Sequence, residues 1–256
     1  MIAEYPLTKA NRIRLGRAFK NVPHVDLSIE CVVEGQMGRV YVDNVENPLA
    51  YKIQTGPFFY FAGDAQGTGG REMLEGIQPW TLFMPSCMGW LEVCQGLYKE
   101  RLVCFDRFSF SSDHLSIEHL QHLGQQFGIN EAVKRIDYSL VEKVWGQDHF
   151  LDVSDFDSPS DFIERGIGYY VMRSDEIVGA AYSSLVCSKG VEVSIFVLED
   201  FRRQGIATTI AAHLIQWCLN NNLEPHRDAA NSESCRLAEK LGYISVGKYQ
   251  AYYLAS

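Results

Sequence analysis

Val197-Leu-Glu-Asp-Phe-Arg-Arg-Gln-Gly-Ile-Ala207 joins two differently patterned segments. Before it, Val191-Glu-Val-Ser-Ile-Phe-Val197 alternates apolar and other residues with period two, which predicts a half-buried strand. After it, Ile206, Ile210, Ala211, Leu214, Ile215 and Cys218 recur at three- and four-residue intervals, which predicts the core face of a helix from about Arg203 to Asn220. A strand that passes through a glycine into a helix N-terminus forms an anion seat. The first N–H groups of the helix have no intrahelical acceptors, and the macrodipole favours negative charge there. Gly205 has no Cβ and Ala207 is small, so a phosphate can approach the backbone. Arg202 and Arg203 add positive charge.

Downstream, Pro225–Ala229 reads as a short strand, Ser232–Leu241 as a helix with Asn231 as its N-cap, and Ile244–Leu254 as a final strand. Upstream, Gly168–Arg173 and Ile177–Cys187 read as strands joined by the turn Ser174-Asp175-Glu176, and Lys134–Asp137 as a shorter strand. Helices are expected at Ser139–Trp145 and, capped by Asp157-Ser-Pro159, at Asp161–Arg165. This alternation predicts an α/β layer with at least one parallel strand pair.

The first half shows short apolar runs between turn signals. Strands are expected at Arg39–Asp43, Leu49–Gln54, Phe58–Ala62 and Trp80–Met84, with Thr55-Gly56-Pro57 as the turn between the second and third. Arg101–Phe105 and Arg107–Phe110 read as a late hairpin or one bent strand. Helices are expected near Leu7–Phe19 and at Leu115–Phe127, the latter with Ser116 as N-cap and Gly128 past its end. Phe127-Gly-Ile-Asn130 is the expected seam, giving domains 1–129 and 130–256.

The 256 residues carry 23 Lys and Arg against 32 Asp and Glu, a formal charge of −9. That balance argues against a broad nucleic-acid footprint and suits, in a general way, a cationic small molecule. The hydrophobic share of 46 % is that of a folded globular chain rather than a disordered one. Gly76–Leu91, the longest uncharged stretch, contains Pro79, Pro85 and Gly89 and is too short for a membrane span. Met1–Gly16 has no apolar core of a secretory leader. The seven scattered cysteines form no C-x-x-C, which fits free thiols in a reducing compartment. These features together predict a cytoplasmic protein without a membrane segment.

Arg202-x-x-Gly205-x-Ala207, following directly on a strand, resembles the acetyl-CoA signature (Arg/Gln-x-x-Gly-x-Gly/Ala) of the GCN5-related N-acetyltransferase superfamily. Asn231-Ser-Glu-Ser-Cys-Arg-Leu-Ala-Glu-Lys-Leu-Gly-Tyr243 resembles the later helix of that superfamily. The run Glu192–Tyr253, with Pro225, Asp228, Asn231 and Ser234, is most similar to its zwittermicin-A-resistance-type branch. The resemblance covers the last half of the chain and implies an α/β (α+β) acetyl-CoA N-acyltransferase fold there. It implies a V-shaped gap between the parallel strands Val191–Val197 and Pro225–Ala229.

The resemblance also implies the cofactor contacts. Pantetheine would bond the backbone of Ile195 and Val197, with an oxyanion donor near Phe196–Val197. Backbone groups of Arg202, Arg203, Gln204, Gly205, Ile206 and Ala207 would hold the pyrophosphate, and Asn231 would touch pantetheine or cap its helix. Glu192 stands where related enzymes place a base. Many members carry Tyr as general acid at the place of Ala238. Here Ser234, Cys235 or water can substitute, or the CoA thiolate can leave unprotonated.

Acetyl-CoA is thus the expected co-substrate and a small-molecule amine the expected acceptor. A CoA-binding sensor without catalysis and an enzyme acting on peptides or proteins are the alternatives. No metal is expected, because His119-x-x-His122 with nearby His114 reads as a solvated face. Gly67-Thr-Gly-Gly70 reads as a flexible loop that no strand closely enters. Asn231 suits an N-cap in any case, Ser234 a solvated first turn, and His226 either a surface imidazole or an acceptor-site residue. Phe58–Phe61 reads as strand core, and Trp80 and Trp90 as residues that can line a cavity. The first half, lacking the Arg-x-x-Gly-x-Ala pattern, is either a degenerate acetyltransferase-like copy or an unrelated α+β cap.

Overall fold

Residues Met1–Arg107 with Lys248–Ser256 form one unit and Phe108–Gly247 the other, in a computed structural model that describes residues 1–56, 58–85, 87–147 and 151–256. The division differs from the expected seam at 129/130. Residues 108–129 belong with the second unit, because Phe108, Phe110, Leu120 and Leu123 pack into its core. The last residues of the chain belong with the first, where Ala251 and Tyr252 are core residues.

In the first unit the chain runs β1 (Ala3–Glu4), α1 (Lys9–Ala18), α2 (Ser28–Val33), β2 (Arg39–Val42), β3 (Ala50–Thr55), β4 (Phe58–Gly63), α3 (Thr68–Leu74), β5 (Leu82–Met84), α4 (Met88–Tyr98) and β6 (Leu102–Ser111), whose last residues enter the second unit. The strand order is β1-β2-β3-β4-β5, antiparallel except for β4 and β5, which are parallel in the register Phe58↔Leu82. Pro57, in the expected turn before β4, lies outside the described residues. The expected hairpin at 101–110 is the single strand β6. Phe58, Tyr60 and Phe61 are buried, and Trp90 packs against Phe61 in the core at 4.9 Å between ring centroids. Trp80 is exposed and stacks on Tyr253.

The second unit continues with α5 (Ile117–Gln125), β7 (Val133–Arg135), α6 (Tyr138–Val144), α7 (Pro159–Arg165), β8 (Gly168–Arg173), β9 (Glu176–Val186), β10 (Gly190–Val197), α8 (Ile206–Asn220), β11 (Glu224–His226), β12 (Asp228–Ala229), α9 (Ser232–Leu241) and the start of β13 (Ile244–Leu254). Its strand order is β11-β10-β9-β8-β7, with only β10 and β11 parallel. Helix α8 buries the six apolar residues expected of it, each removal from water contributing about 1.5–3 kcal/mol for the larger side chains. It begins three residues later than its expected start, since Arg203 (φ +61°) and Gly205 (φ +83°) are left-handed. Such residues turn the chain and cannot be helical.

The two units run through the same series: a strand, two helices, three antiparallel strands, a crossover helix, a strand parallel to the third, a helix and a strand.

Candidate functional site

Strands β10 and β11 pair for three residues, Gly190↔Glu224, Val191↔Pro225 and Glu192↔His226. There they separate. β10 continues to Val197, while the other chain turns at Arg227 and pairs through β12 with Phe108 and Ser109 of β6. The expected strand 225–229 is therefore two short strands with different partners, and their divergence opens a gap beside Val193–Val197.

Which backbone groups face the gap follows from the ladder. Leu198 N–H donates to Val178 O on β9 at 2.9 Å. Hydrogen-bonding direction alternates along an antiparallel strand, so Phe196 also turns its backbone to β9, and Val193, Ile195 and Val197 turn theirs away. Two contacts agree: Arg227 Nη1 donates to Val193 O at 3.2 Å and Arg202 Nε donates to Val197 O at 3.3 Å. Backbone groups of Ile195 and Val197 thus face the gap. That of Phe196 turns to β9 instead.

A cleft of about 930 Å³ follows. Its walls include Ile195, Phe196 and Val197 of β10, Arg202, Arg203, Gly205, Ile206 and Ala207 at the start of α8, and Asn231 and Ser234 at the start of α9. Arg227, Arg236 and Lys240 add to its positive lining, against Glu199 and Glu233. Thr209 N–H is bonded to Gly205 O at 3.0 Å, so the amides preceding it lack intrahelical acceptors. These amides, an adjacent positive helix end and clustered arginines can hold a diphosphate. A long extended ligand can add backbone hydrogen bonds along β10.

Two expected site residues are not in the cleft lining. Gln204 turns its side chain back to Asp200 O at 3.3 Å. Glu192 is buried, its carboxylate accepting from His226 Nδ1 at 2.8 Å where the two strands are still paired. Ser194 lies on the same face of β10, donating to Ser184 Oγ at 2.9 Å. Burial pushes the nearby Tyr182 hydroxyl up to about 12, so it stays protonated at neutral pH. Asn231 caps α9, its side chain accepting from Ser234 N–H at 2.9 Å.

Ala238 is fully buried in the core, packed with α8 residues. From α9, Glu233, Ser234, Arg236, Leu237 and Lys240 line the cleft, and Ala238 does not. Sequence reasoning missed Phe127, Arg227 and Lys240. Arg227 carried one signal, a cation inside a short strand segment. Phe127 and Lys240 come together only in three dimensions, with Lys240 Nζ 4.5 Å from the ring centroid.

The corresponding corner of the first unit is different. Gly67–Gly70 opens α3 soon after β4 ends at Gly63, and so is a helix start rather than a flexible loop. Asp64 accepts there from Gln66 N–H and Gly67 N–H at 3.0 and 3.1 Å, and a Cβ on Gly69 would strike Asp43. Carboxylates fill this corner.

Among the described residues no group of three or more His, Cys, Asp or Glu is placed to hold a metal ion, and His119 Nε2 bonds Lys240 O at 2.9 Å. No helix among them is long and apolar enough to cross a membrane.

The sequence is 27 % identical over 227 residues to the uncharacterised N-acetyltransferase YdfB of Bacillus subtilis, covering 84 % of this chain and 85 % of the relative. The fold is similar to the crystal structure of a GCN5-related N-acetyltransferase-like protein from Streptococcus suis, with a TM-score of 0.83 and 29 % identity over 96 % of this chain and 100 % of that one. An acetyltransferase of the GNAT family from Colwellia psychrerythraea shares the fold at a TM-score of 0.50 and 11 % identity, with 100 % of both chains covered. Residues 18–252 match the GNAT acetyltransferase family, and the chain belongs to it.

Proposed function

We propose that this acetyltransferase moves the acetyl group of acetyl-CoA to a primary amine of a small molecule, a metabolite or an antibiotic. The observation that carries the reading is the splay of β10 and β11 beside a basic cleft whose floor is the start of α8. Pantetheine bonds Ile195 and Val197, and the amides from Arg202 to Ala207 hold the pyrophosphate. Asn231 positions α9, and Ser234 faces the cofactor from its first turn. Glu192, oriented by His226, takes the proton of the acceptor amine directly or through a water.

The acidic balance of the chain favours a cationic acceptor, and the scattered cysteines favour a reducing compartment. The run Pro225, Asp228, Asn231 and Ser234 supports placement near the zwittermicin-A-resistance-type branch. The shared series of elements supports descent of the first unit from a second acetyltransferase copy, its phosphate corner closed by Asp64 and Asp43.

A second reading, a CoA-binding sensor, draws on α9, which presents no tyrosine to the cleft. A thiol-release screen of amine-bearing compounds, run beside calorimetry with CoA, separates the two. The enzyme binds CoA and releases thiol with some small amine, whereas the sensor binds CoA and releases none. Release with peptides alone would move the acceptor class to proteins.

A further inference from the structure

Continuing the parallel register of β10 and β11 by one residue would set Arg227 opposite Val193. The backbone pair does not form there. Instead the Arg227 side chain reaches across the opening and donates Nη1 to Val193 O. The residue is only 5 % exposed, yet it lines the cleft. Its Nε has no hydrogen-bond partner, and no ion pair to a carboxylate is formed by it among the described residues. A buried guanidinium with no carboxylate bonded to it is costly, on the order of several kcal/mol. Its cost is offset when negative charge arrives beside it. Asp228 and Glu192 act on it through space without bonding it, and Glu192 is engaged by His226.

We infer that Arg227 is a catalytic residue, the donor that stabilises negative charge on the thioester oxygen and then on the departing CoA sulfur. The inference rests on the acetyl-CoA reading. A pantetheine arm bonded along Val197 and Ile195 points its thioester toward Val193, where Arg227 crosses the gap. As the amine nitrogen attacks, the C–N bond forms and the carbonyl π pair moves to oxygen, facing the guanidinium. The amine proton passes to Glu192. The oxygen pair then re-forms the carbonyl, the C–S bond breaks, and its electron pair leaves on sulfur as thiolate. No proton donor is needed in this step, which accounts for an α9 cleft face without tyrosine. A fixed donor in a site shielded from water acts without reorganisation, and removal of one such donor slows turnover about 100- to 1,000-fold.

The test needs no acceptor. Acetyl-CoA carrying a ¹³C carbonyl is bound to the full chain, and the carbonyl stretch is read by difference infrared spectroscopy while calorimetry gives the affinity. The wild type should shift the stretch to lower wavenumber. Arg227→Gln should bind within about threefold of wild type, with the stretch back at its value in solution. Arg227→Lys, the variant to use if Arg227→Gln does not fold, should show a reduced shift. A wild-type complex with an unshifted carbonyl, or a variant with the full wild-type shift, overturns the inference and leaves the acetyl-CoA reading standing. A wild type that fails to bind acetyl-CoA removes that reading, and the inference with it.

Discussion

A Cβ added to Gly205 would lie only 2.1 Å from Cγ of the Phe127 ring, at a backbone φ of +83° that side chains rarely adopt. Gly205 is thus held by its conformation and by the ring pressed against it. Gly205→Ala should destabilise the second unit by about 1–2 kcal/mol from the left-handed backbone alone, with further overlap energy of about 1–3 kcal/mol. In a Phe127→Ala background only the backbone part should remain. Melting temperatures of the four proteins of this cycle separate the two, and equal losses in both backgrounds would show that the ring moves aside freely. Gly205→Glu should abolish CoA binding, since it puts bulk and negative charge beside the α8 amides. Calorimetry with unaltered affinity would remove this corner from the ligand site.

Glu192→Gln keeps a side chain of similar size beside His226 but removes the charge that accepts its N–H, at 2.8 Å in the wild type. Turnover with the acceptor found in the screen should fall about 100-fold, the contribution of a positioned base, while acetyl-CoA affinity is kept. An unchanged kcat would take Glu192 out of the reaction.

The second unit was legible because its elements announce themselves locally. Val191–Val197 alternates, α8 repeats its apolar face, and Asn231 both starts and caps α9. What eluded the sequence depends on pairing between distant segments. Pro225–Ala229 reads as one strand, yet Asp228 and Ala229 exchange β10 for Ser109 and Phe108, more than a hundred residues away. Arg227 becomes notable only because it sits at that exchange. The place of the superfamily's tyrosine is taken by Ala238, which is packed in the core, while Ser234, Leu237 and Lys240 of α9 line the cleft, a division that only the packing reveals. Gly67–Gly70 hid its helix because its cap is a backbone glycine and its anion is Asp64 of the same loop.

Asn231 offers a way to tell cap from ligand contact. Its side-chain oxygen is already bonded to Ser234 N–H. Asn231→Ala should lower stability by about 1 kcal/mol. Asn231→Asp, also a good cap, should restore the melting temperature. If Asn231 acts only through the cap, CoA affinity follows stability through both variants. A loss of affinity in Asn231→Asp at full stability would mean that the amide itself meets the ligand.

The pH dependence of stability has a contribution from α7. The Arg165 side chain, bonded to Asp161 at 2.6 and 2.7 Å, holds the Asp161 carboxyl below the usual carboxylate range, helped by Asp157 N–H. A depressed folded value means that this contribution is full above the unfolded pKa, about 3.9, and is lost as pH falls through the folded value. Asp161→Asn should therefore cost about 0.5–1 kcal/mol at pH 7, as for a solvent-touched pair. The gap between variant and wild type should be constant down to about pH 5 and shrink below pH 4. Denaturant midpoints across this range measure it, and a gap that widens toward acid would reverse the assignment.

Two units with one series of elements raise the question of how many nucleotides the chain binds. At the start of α8 the amides face a cleft lined by Arg202, Arg203 and Arg236, whereas at the start of α3 the Asp64 carboxylate already accepts from Gln66 and Gly67. A phosphate at α3 would meet that negative charge and a glycine, Gly69, pressed on Asp43. Calorimetry should accordingly give one CoA per chain. Asp64→Asn removes the charge but not the filling, so the stoichiometry should stay at one. A second equivalent bound by the wild type, abolished by a carboxylate placed near α3 and not by Gly205→Glu, would show that the first unit kept its own nucleotide site.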